Sequence, residues 1–332
     1  MLDEAVQGEA AWRGADLQDS ESWIVRFSDD ELDEIERALV TVRDHRLDEL
    51  QSGEFSIPAL SEHLREVYRT LQEGRGFVLL RGLPVHERFS EDDAAKVLWA
   101  IGCQLGTPVS QNKRGEILGH LQNKVVPGAF ERRFSTNESM DFHSDNTDFV
   151  GLMCLTPARF GGESLLASTM EAYNIVLAEH PEFLPTLYKY FAKDRMSEQA
   201  PGEPGWEMLP LFCYEDGYLS GTTSTAWFVR SMRFADVARL SADEMSCFLF
   251  LESLPKRPGM ALSMTLEPGD MQFVNNFVLT HTRTGFVDDP DDPLHQRHLL
   301  RLWLSHFEGG RPICDAFARG RAGIQPLAGA GV

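Results

Sequence analysis

Met140-Asp141-Phe142-His143-Ser144-Asp145-Asn146-Thr147-Asp148-Phe149 places an imidazole and a carboxylate two residues apart. Along an extended strand, alternate side chains leave the same face, so His143 and Asp145 can meet one ion. Two ligands do not close a metal site. A set of two histidines and one carboxylate does, and it leaves coordination positions open for substrate and oxygen. A His-x-Asp tripeptide also arises by chance, and a histidine beside a strand can equally be a hydrogen-bonded structural residue.

The third ligand must come from elsewhere. Among ten histidines, His45, His63 and His180 lie in charged helical surroundings and read as surface residues. His281 differs. It ends the run Met271-Gln272-Phe273-Val274-Asn275-Asn276-Phe277-Val278-Leu279-Thr280-His281, which reads as one strand after the turn Pro268-Gly269-Asp270. Its separation from His143 suits ligands on different strands of one barrel.

Beyond His281, Gln296-Arg297-His298-Leu299-Leu300-Arg301-Leu302-Trp303-Leu304 begins a strand over residues 298–307, with two arginines four apart on one face. A guanidinium turned into an apolar barrel is costly unless an anion meets it. One answer is a salt bridge to Asp288, Asp289 or Asp291. Another is a dicarboxylate co-substrate gripped through parallel hydrogen bonds.

Upstream, Ser28-Asp29-Asp30-Glu31 and Ser241-Ala242-Asp243-Glu244 are capping boxes that open helices. Further helices follow Pro58 and Ser90, and residues 171–179 and 181–190 also read as helical. Gly76-Phe77-Val78-Leu79-Leu80-Arg81-Gly82 is a short buried strand between glycines. Short strands and turns fill residues 115–165, and residues 260–266 alternate as a strand does. Residues 1–20 are acidic and small, and read as a flexible tail. No linker divides the remainder. Residues 21–332 therefore read as one α+β domain, with helices packed on a barrel or double sheet.

The chain has 332 residues and a net charge of −20. That argues against nucleic acid and anionic membranes as partners. Five scattered cysteines, none in a CxxC pair, suit buried thiols in a reducing cytoplasm. The N-terminal residues lack a signal-peptide core, and no apolar stretch nears the ~20 residues of a membrane helix.

Taken in order, Gly76–Gly82, Phe142-His143-Ser144-Asp145, Gly161-Gly162-Glu163-Ser164 with Ala172-Tyr173, Pro268-Gly269-Asp270 leading to Asn275-Asn276, His281-Thr282-Arg283, and Arg297 with Arg301 resemble the taurine dioxygenase-like family of Fe(II)/2-oxoglutarate oxygenases. Clavaminate synthase and γ-butyrobetaine hydroxylase belong to the same broader group. The resemblance spans about residues 75–307, and residues 1–70 carry none of it. Asp288 to His295 look like an inserted loop.

The resemblance implies a double-stranded β-helix, or jelly-roll, flanked by helices. It implies Fe(II) on His143, Asp145 and His281. Arg297 would take the distal carboxylate of 2-oxoglutarate, with Ser164 standing where the family usually has threonine. Arg301 would lie nearer the iron, by the C1 carboxylate or an acidic substrate. Oxygen and 2-oxoglutarate would be consumed, succinate and CO2 released, and a small molecule hydroxylated; desaturation, epoxidation and ring closure use the same ligands. Gln122 and Asn137 are candidate substrate contacts on loops at the barrel mouth. Asn275 and Asn276 would order the strand carrying His281. Family members are often homo-oligomers. Two rival readings use the same scaffold: a zinc- or manganese-dependent hydrolase or isomerase, and a non-catalytic small-ligand-binding protein.

Overall fold

The computed structural model describes residues 1–50, 54–123, 136–307 and 310–326. In chain order the first elements are α1 (Gly14–Leu17), β1 (Ile24–Arg26), α2 (Asp29–Val42), α3 (Pro58–Gln72), β2 (Phe77–Arg81), α4 (Glu91–Leu105), β3 (Thr107–Val109) and β4 (Leu118–Gln122). Next come β5 (Phe149–Thr156), β6 (Phe160–Gly161), β7 (Ser164–Ser168), α5 (Thr169–Glu179), α6 (Leu184–Leu187), β8 (Phe191–Asp194), β9 (Trp206–Leu209), β10 (Phe212–Glu215) and β11 (Tyr218–Gly221). The last are α7 (Ala226–Ser231), α8 (Ala242–Ser253), β12 (Ala261–Met264), β13 (Met271–Asn275), β14 (Leu279–Arg283), β15 (Phe286–Val287), β16 (His298–Ser305) and α9 (Asp315–Ala318). Ser28, Ser90 and Ser241 cap α2, α4 and α8, and in each case the acid at the third position returns the bond.

Two sheets form the jelly-roll. The major sheet runs β1-β2-β13-β5-β16-β3, with β4 also on β16; the minor sheet runs β12-β7-β14. The major sheet is covered on both faces, which is why β2 is apolar without alternation. Val78 and Leu80 meet Ile35, Leu39, Leu71, Val97 and Ile101 of α2, α3 and α4, whereas Phe77 and Leu79 face Leu166, Leu262 and Leu279 of the minor sheet. β16 divides likewise: Leu300, Leu302 and Leu304 pack under the helices, and Leu299 and Trp303 point between the sheets. Helix α4 sits so close that a Cβ on Gly102 would lie 2.3 Å from Leu302. The turn before β13 needs its glycine as well: Gly269 has φ +85°, and a Cβ there would meet the Leu83 carbonyl oxygen at 1.8 Å.

Four expectations from sequence are corrected. Residues 1–20 are docked rather than loose. Trp12 is buried against Phe77 with ring centroids 5.2 Å apart, and its indole donates to the Arg75 carbonyl. The Val6 amide donates to Asn174, and the Gly14 amide to the Met260 carbonyl. One buried indole and several long-range backbone bonds outweigh the polar composition. Residues 181–190 hold only a 3-10 turn at Pro181–Phe183 and the four-residue α6, because Pro181 and Pro185 cannot continue an α-helical ladder. Residues 271–281 are two strands, not one. The Asn275 side chain accepts the Phe277 amide at 2.9 Å and turns the chain, so β13 lies in the major sheet and β14 in the minor. Finally, His143 and Asp145 precede β5. His143 makes a single antiparallel bridge to His281, and Asp145 lies just past it.

No disulfide joins the described cysteines, and Cys154, Cys213 and Cys247 are buried. No described helix is long and apolar enough to cross a membrane.

Candidate active site

The segment carrying His143 and Asp145 is stitched to β14. His143 and His281 exchange backbone hydrogen bonds at 2.9 and 2.8 Å. Thr282 donates to the Met140 carbonyl, Thr280 to the His143 carbonyl and Ser144 to the Leu279 carbonyl. Asn276 accepts the Asp145 amide at 3.0 Å and donates to the Thr147 carbonyl. Asn276 therefore positions the ligand segment itself, whereas Asn275 makes the turn and ties it to the Leu71 carbonyl of α3.

These bonds bring one ligand atom from each of His143, Asp145 and His281 within 4.8 Å of one another. The His143 Nδ1 engages the Asp141 carbonyl at 3.0 Å, which leaves Nε2 for a metal. His281 buries Nδ1 with no hydrogen-bond partner among the described residues and brings Nε2 to 3.8 Å from Asp145 Oδ2. Burial, reinforced by His143, pushes His281 down to about 3, so its imidazole is neutral. Burial works against ionisation of Asp145, but Arg301, the two histidines and Trp303 outweigh it and hold the carboxyl below its usual range. A neutral His281 imidazole and an ionised Asp145 carboxylate are protonation states a metal requires, and the donor set of two imidazoles and one carboxylate fits Fe(II).

The arginines fall on the inner face of the barrel. Arg301 donates to Gln111 Oε1 at 2.7 Å, lies over the Trp303 ring and brings a guanidinium nitrogen to 3.9 Å from Asp145 Oδ1. Arg297 is buried, and its guanidinium makes no ion pair or hydrogen bond among the described residues. The nearby acids are otherwise engaged or turned away. Asp288 accepts the Arg297 backbone amide, and Asp289 pairs with Arg159. Gly162, at φ +80°, makes room for the side chain: a Cβ there would sit 3.2 Å from Arg297 Nε. Arg283 is buried on the same Phe286 ring, with guanidinium-to-centroid distances of 4.8 Å for Arg283 and 5.2 Å for Arg297. Burial, with Arg283 adding repulsion, lowers Arg297 to about 10. Arg283 donates to the Thr284 and Thr136 carbonyls, whereas the buried Arg297 charge calls for an anion. Ser164 starts β7 directly across from Arg283, and its hydroxyl donates to Gln272.

A cavity of about 490 Å³ opens beside this cluster, lined by His143, Asp145, Arg301, Trp303, Lys193 and Trp227 among others. Its size suits a small molecule. Gln122 and Asn137 do not line it. Gln122 pairs with His298 in the β4–β16 ladder, and the Asn137 carbonyl accepts the Phe286 amide. Sequence reading passed over Trp303 and Arg283. Both carry the same signal, a two-residue step along a strand from a residue already singled out, Arg301 and His281 respectively.

Two histidines and a carboxylate clustered within one jelly-roll, with a buried guanidinium that meets no anion among the described residues, match the arrangement of a non-haem Fe(II)/2-oxoglutarate oxygenase. Residues 42–303 match the family described as taurine catabolism dioxygenase TauD, TfdA, and the chain belongs to that family. It is similar to FR-33289 synthase of Streptomyces rubellomurinus, with 31% identity covering 99% of this chain and 98% of that protein. A taurine hydroxylase-like protein of Stachybotrys chartarum is 26% identical over 89% of this chain and 78% of its own. Among solved structures, asparagine oxygenase in complex with Fe(II), 2S,3S-3-hydroxyasparagine and succinate superposes with a TM-score of 0.65 at 20% identity, covering 85% of this chain and 93% of that one. The chain is thus an Fe(II)/2-oxoglutarate-dependent dioxygenase acting on a small molecule.

Proposed function

We propose that His143, Asp145 and His281 hold the iron, that Arg297 receives the distal carboxylate of 2-oxoglutarate, and that the outcome is hydroxylation of a small substrate in the cavity beside them. The observation that carries this reading is the buried Arg297 guanidinium, which has no carboxylate partner among the described residues. The zinc- or manganese-dependent alternative leaves that charge without a purpose.

When bound, iron with 2-oxoglutarate and oxygen supplies the hydrogen-abstracting oxidant, and succinate and CO2 leave. The chain supplies position and electrostatics. Arg297 and Arg283 present a positive wall between apolar sheets, where an ion pair is stronger than in water. Ser164 offers a hydroxyl that can still accept while it donates to Gln272. Arg301 and Trp303 fix the Asp145 carboxylate, and Arg301 would be close enough to meet an acidic group bound beside Asp145. The five unpaired thiols support a reducing cytoplasm as the setting, and the net charge of −20 supports a partner list without nucleic acid or anionic membrane. The continuous cores from helices to sheets support reading residues 21–332 as one catalytic domain.

The test is anaerobic titration of Fe(II) and 2-oxoglutarate into apo-protein while following the visible metal-to-ligand charge-transfer band. The band is expected in the wild type and absent in His281→Ala. A band that persists in His281→Ala removes that ligand. Iron binding without any band in the folded wild type favours the hydrolase or isomerase chemistry.

A further inference from the structure

Two residues at the end of β8, Lys193 and Asp194, both border the cavity of His143 and Asp145, and they do different work. Asp194 turns towards α7 and takes Arg230 and Arg233 at 3.1 and 2.7 Å. Lys193 turns into the cavity that holds His143 and Asp145, and it also borders a small recess formed by Asn146, Thr222 and Phe277. Its ammonium donates to Asn146 Oδ1 at 2.7 Å and makes no ion pair among the described residues. Glu207 stands opposite it in the β8–β9 ladder without closing one. Other cations lining the cavity are already matched: Arg195 with Glu203, Arg230 with Asp194, and Arg301 with Gln111 beside Asp145.

An ammonium has three donors, and here the protein answers one. Burial lowers the pKa of Lys193 against the pull of Glu207, Glu198 and Asp145, which is the mark of a charge poorly served by water. A strand residue that merely needed solubility would point outward. This one points at the reaction site, with Phe142, Trp227 and Trp303 lining the same cavity.

We infer that Lys193 anchors an anionic group of the substrate, a carboxylate or a tetrahedral oxyanion such as a sulfonate or phosphate, and so sets which carbon reaches the metal. This rests on the iron and 2-oxoglutarate reading above. Lys193 is then a specificity-determining residue distinct from the arginines that serve the co-substrate. The competing role is structural: Lys193 bracing Asn146, the neighbour of Asp145.

The experiment uses the anaerobic enzyme loaded with Fe(II) and saturating 2-oxoglutarate, so that the Arg297 site is filled. Sodium sulfate and sodium acetate are titrated calorimetrically at fixed ionic strength. The wild type is expected to bind at least one of them saturably. Lys193→Met should weaken that binding ~10-fold or more, because a charge-assisted hydrogen bond is lost, and Lys193→Arg should restore most of it. Preference for sulfate identifies a tetrahedral oxyanion as the substrate's group, and preference for acetate a carboxylate. Binding of neither anion by the wild type, or equal affinity in Lys193→Met, overturns the assignment. A bracing lysine would instead shift the charge-transfer band or the melting temperature and leave anion affinity untouched. A missing band in the wild type marks failure of the iron and 2-oxoglutarate reading, which is separate from failure of the Lys193 assignment.

Discussion

Trp303 donates its indole N–H to Asp145 Oδ2 at 3.1 Å, while Arg301, two residues earlier on the same strand, approaches Oδ1 at 3.9 Å. Both carboxylate oxygens are thereby oriented from one strand of the major sheet, across from the minor-sheet strand that carries His281. The geometry of the His143, Asp145 and His281 cluster is therefore a property of how the two sheets face each other.

Trp303→Phe keeps the aromatic packing and removes the hydrogen bond. Fe(II) affinity should fall ~10–100-fold, the usual cost of losing a partner that orients a ligand. Titration of Fe(II) into the anaerobic protein measures it. Unchanged affinity would mean Arg301 alone orients Asp145.

Arg297→Ala should weaken 2-oxoglutarate by ~2–5 kcal/mol, the cost of truncating one side of a buried charge pair. Thermal shift provides the check. In the iron-loaded wild type, 2-oxoglutarate at ~100 times its Kd adds ~2.7 kcal/mol of stability, and Arg297→Ala should lose that gain at the same concentration. Loss in Arg301→Ala with retention in Arg297→Ala would exchange the roles of the two arginines.

Much of this site was legible in the sequence, for local reasons. His143, Asp145, His281, Arg297 and Arg301 stand out because strand spacing and turn signals surround them. The break at Asn275-Asn276 was hidden, since both asparagines sit inside an otherwise apolar run and only the side-chain bond to Phe277 reveals a turn. The docking of residues 1–20 was hidden because it depends on one tryptophan and on backbone bonds, which composition does not register. Lys193 was hidden because nothing nearby in sequence says that β8 borders the cavity. Only the fold brings residues 193–196 to the cavity of His143 and Asp145. Gln122 and Asn137 were chosen by position along the chain, and the fold spends them on a strand pairing and a carbonyl contact instead.

Arg81 closes on the buried Asp270 through three hydrogen bonds of 2.5–3.2 Å. Arg81→Ala strands that carboxylate beneath the turn that starts β13, and should cost ~3–5 kcal/mol. Urea denaturation measures the loss, and an Arg81→Ala/Asp270→Asn double variant should recover part of it. A single variant within 1 kcal/mol of wild type, roughly the value of an exposed pair, would show that the pair is solvated.

Asp194 sits between Arg233, the Met196 amide and Arg230. Burial works against its ionisation, but these partners hold its pKa below the ordinary value. A carboxylate with a lowered folded-state pKa contributes stability above its unfolded pKa of ~3.9 and loses it as pH falls through the folded value. Asp194→Asn should therefore be less stable by a constant margin from about pH 5 upward, and the margin should narrow below about pH 4. Urea midpoints across that range at constant salt test it. A margin that stays constant down to about pH 2 would show that the charge plays no part.

Apart from Trp12, which meets Arg75 and Phe77, residues 2–17 find their partners at Asn174, Tyr188 and Met260, further along the chain. These residues are synthesised well before α5 and β12, so their docking cannot be completed until those elements have been made. Completion of that docking therefore follows synthesis of most of a barrel that is itself built from non-local strand pairs. A fusion partner attached ahead of Leu2 would work against that late step, slowing maturation without touching a single catalytic residue.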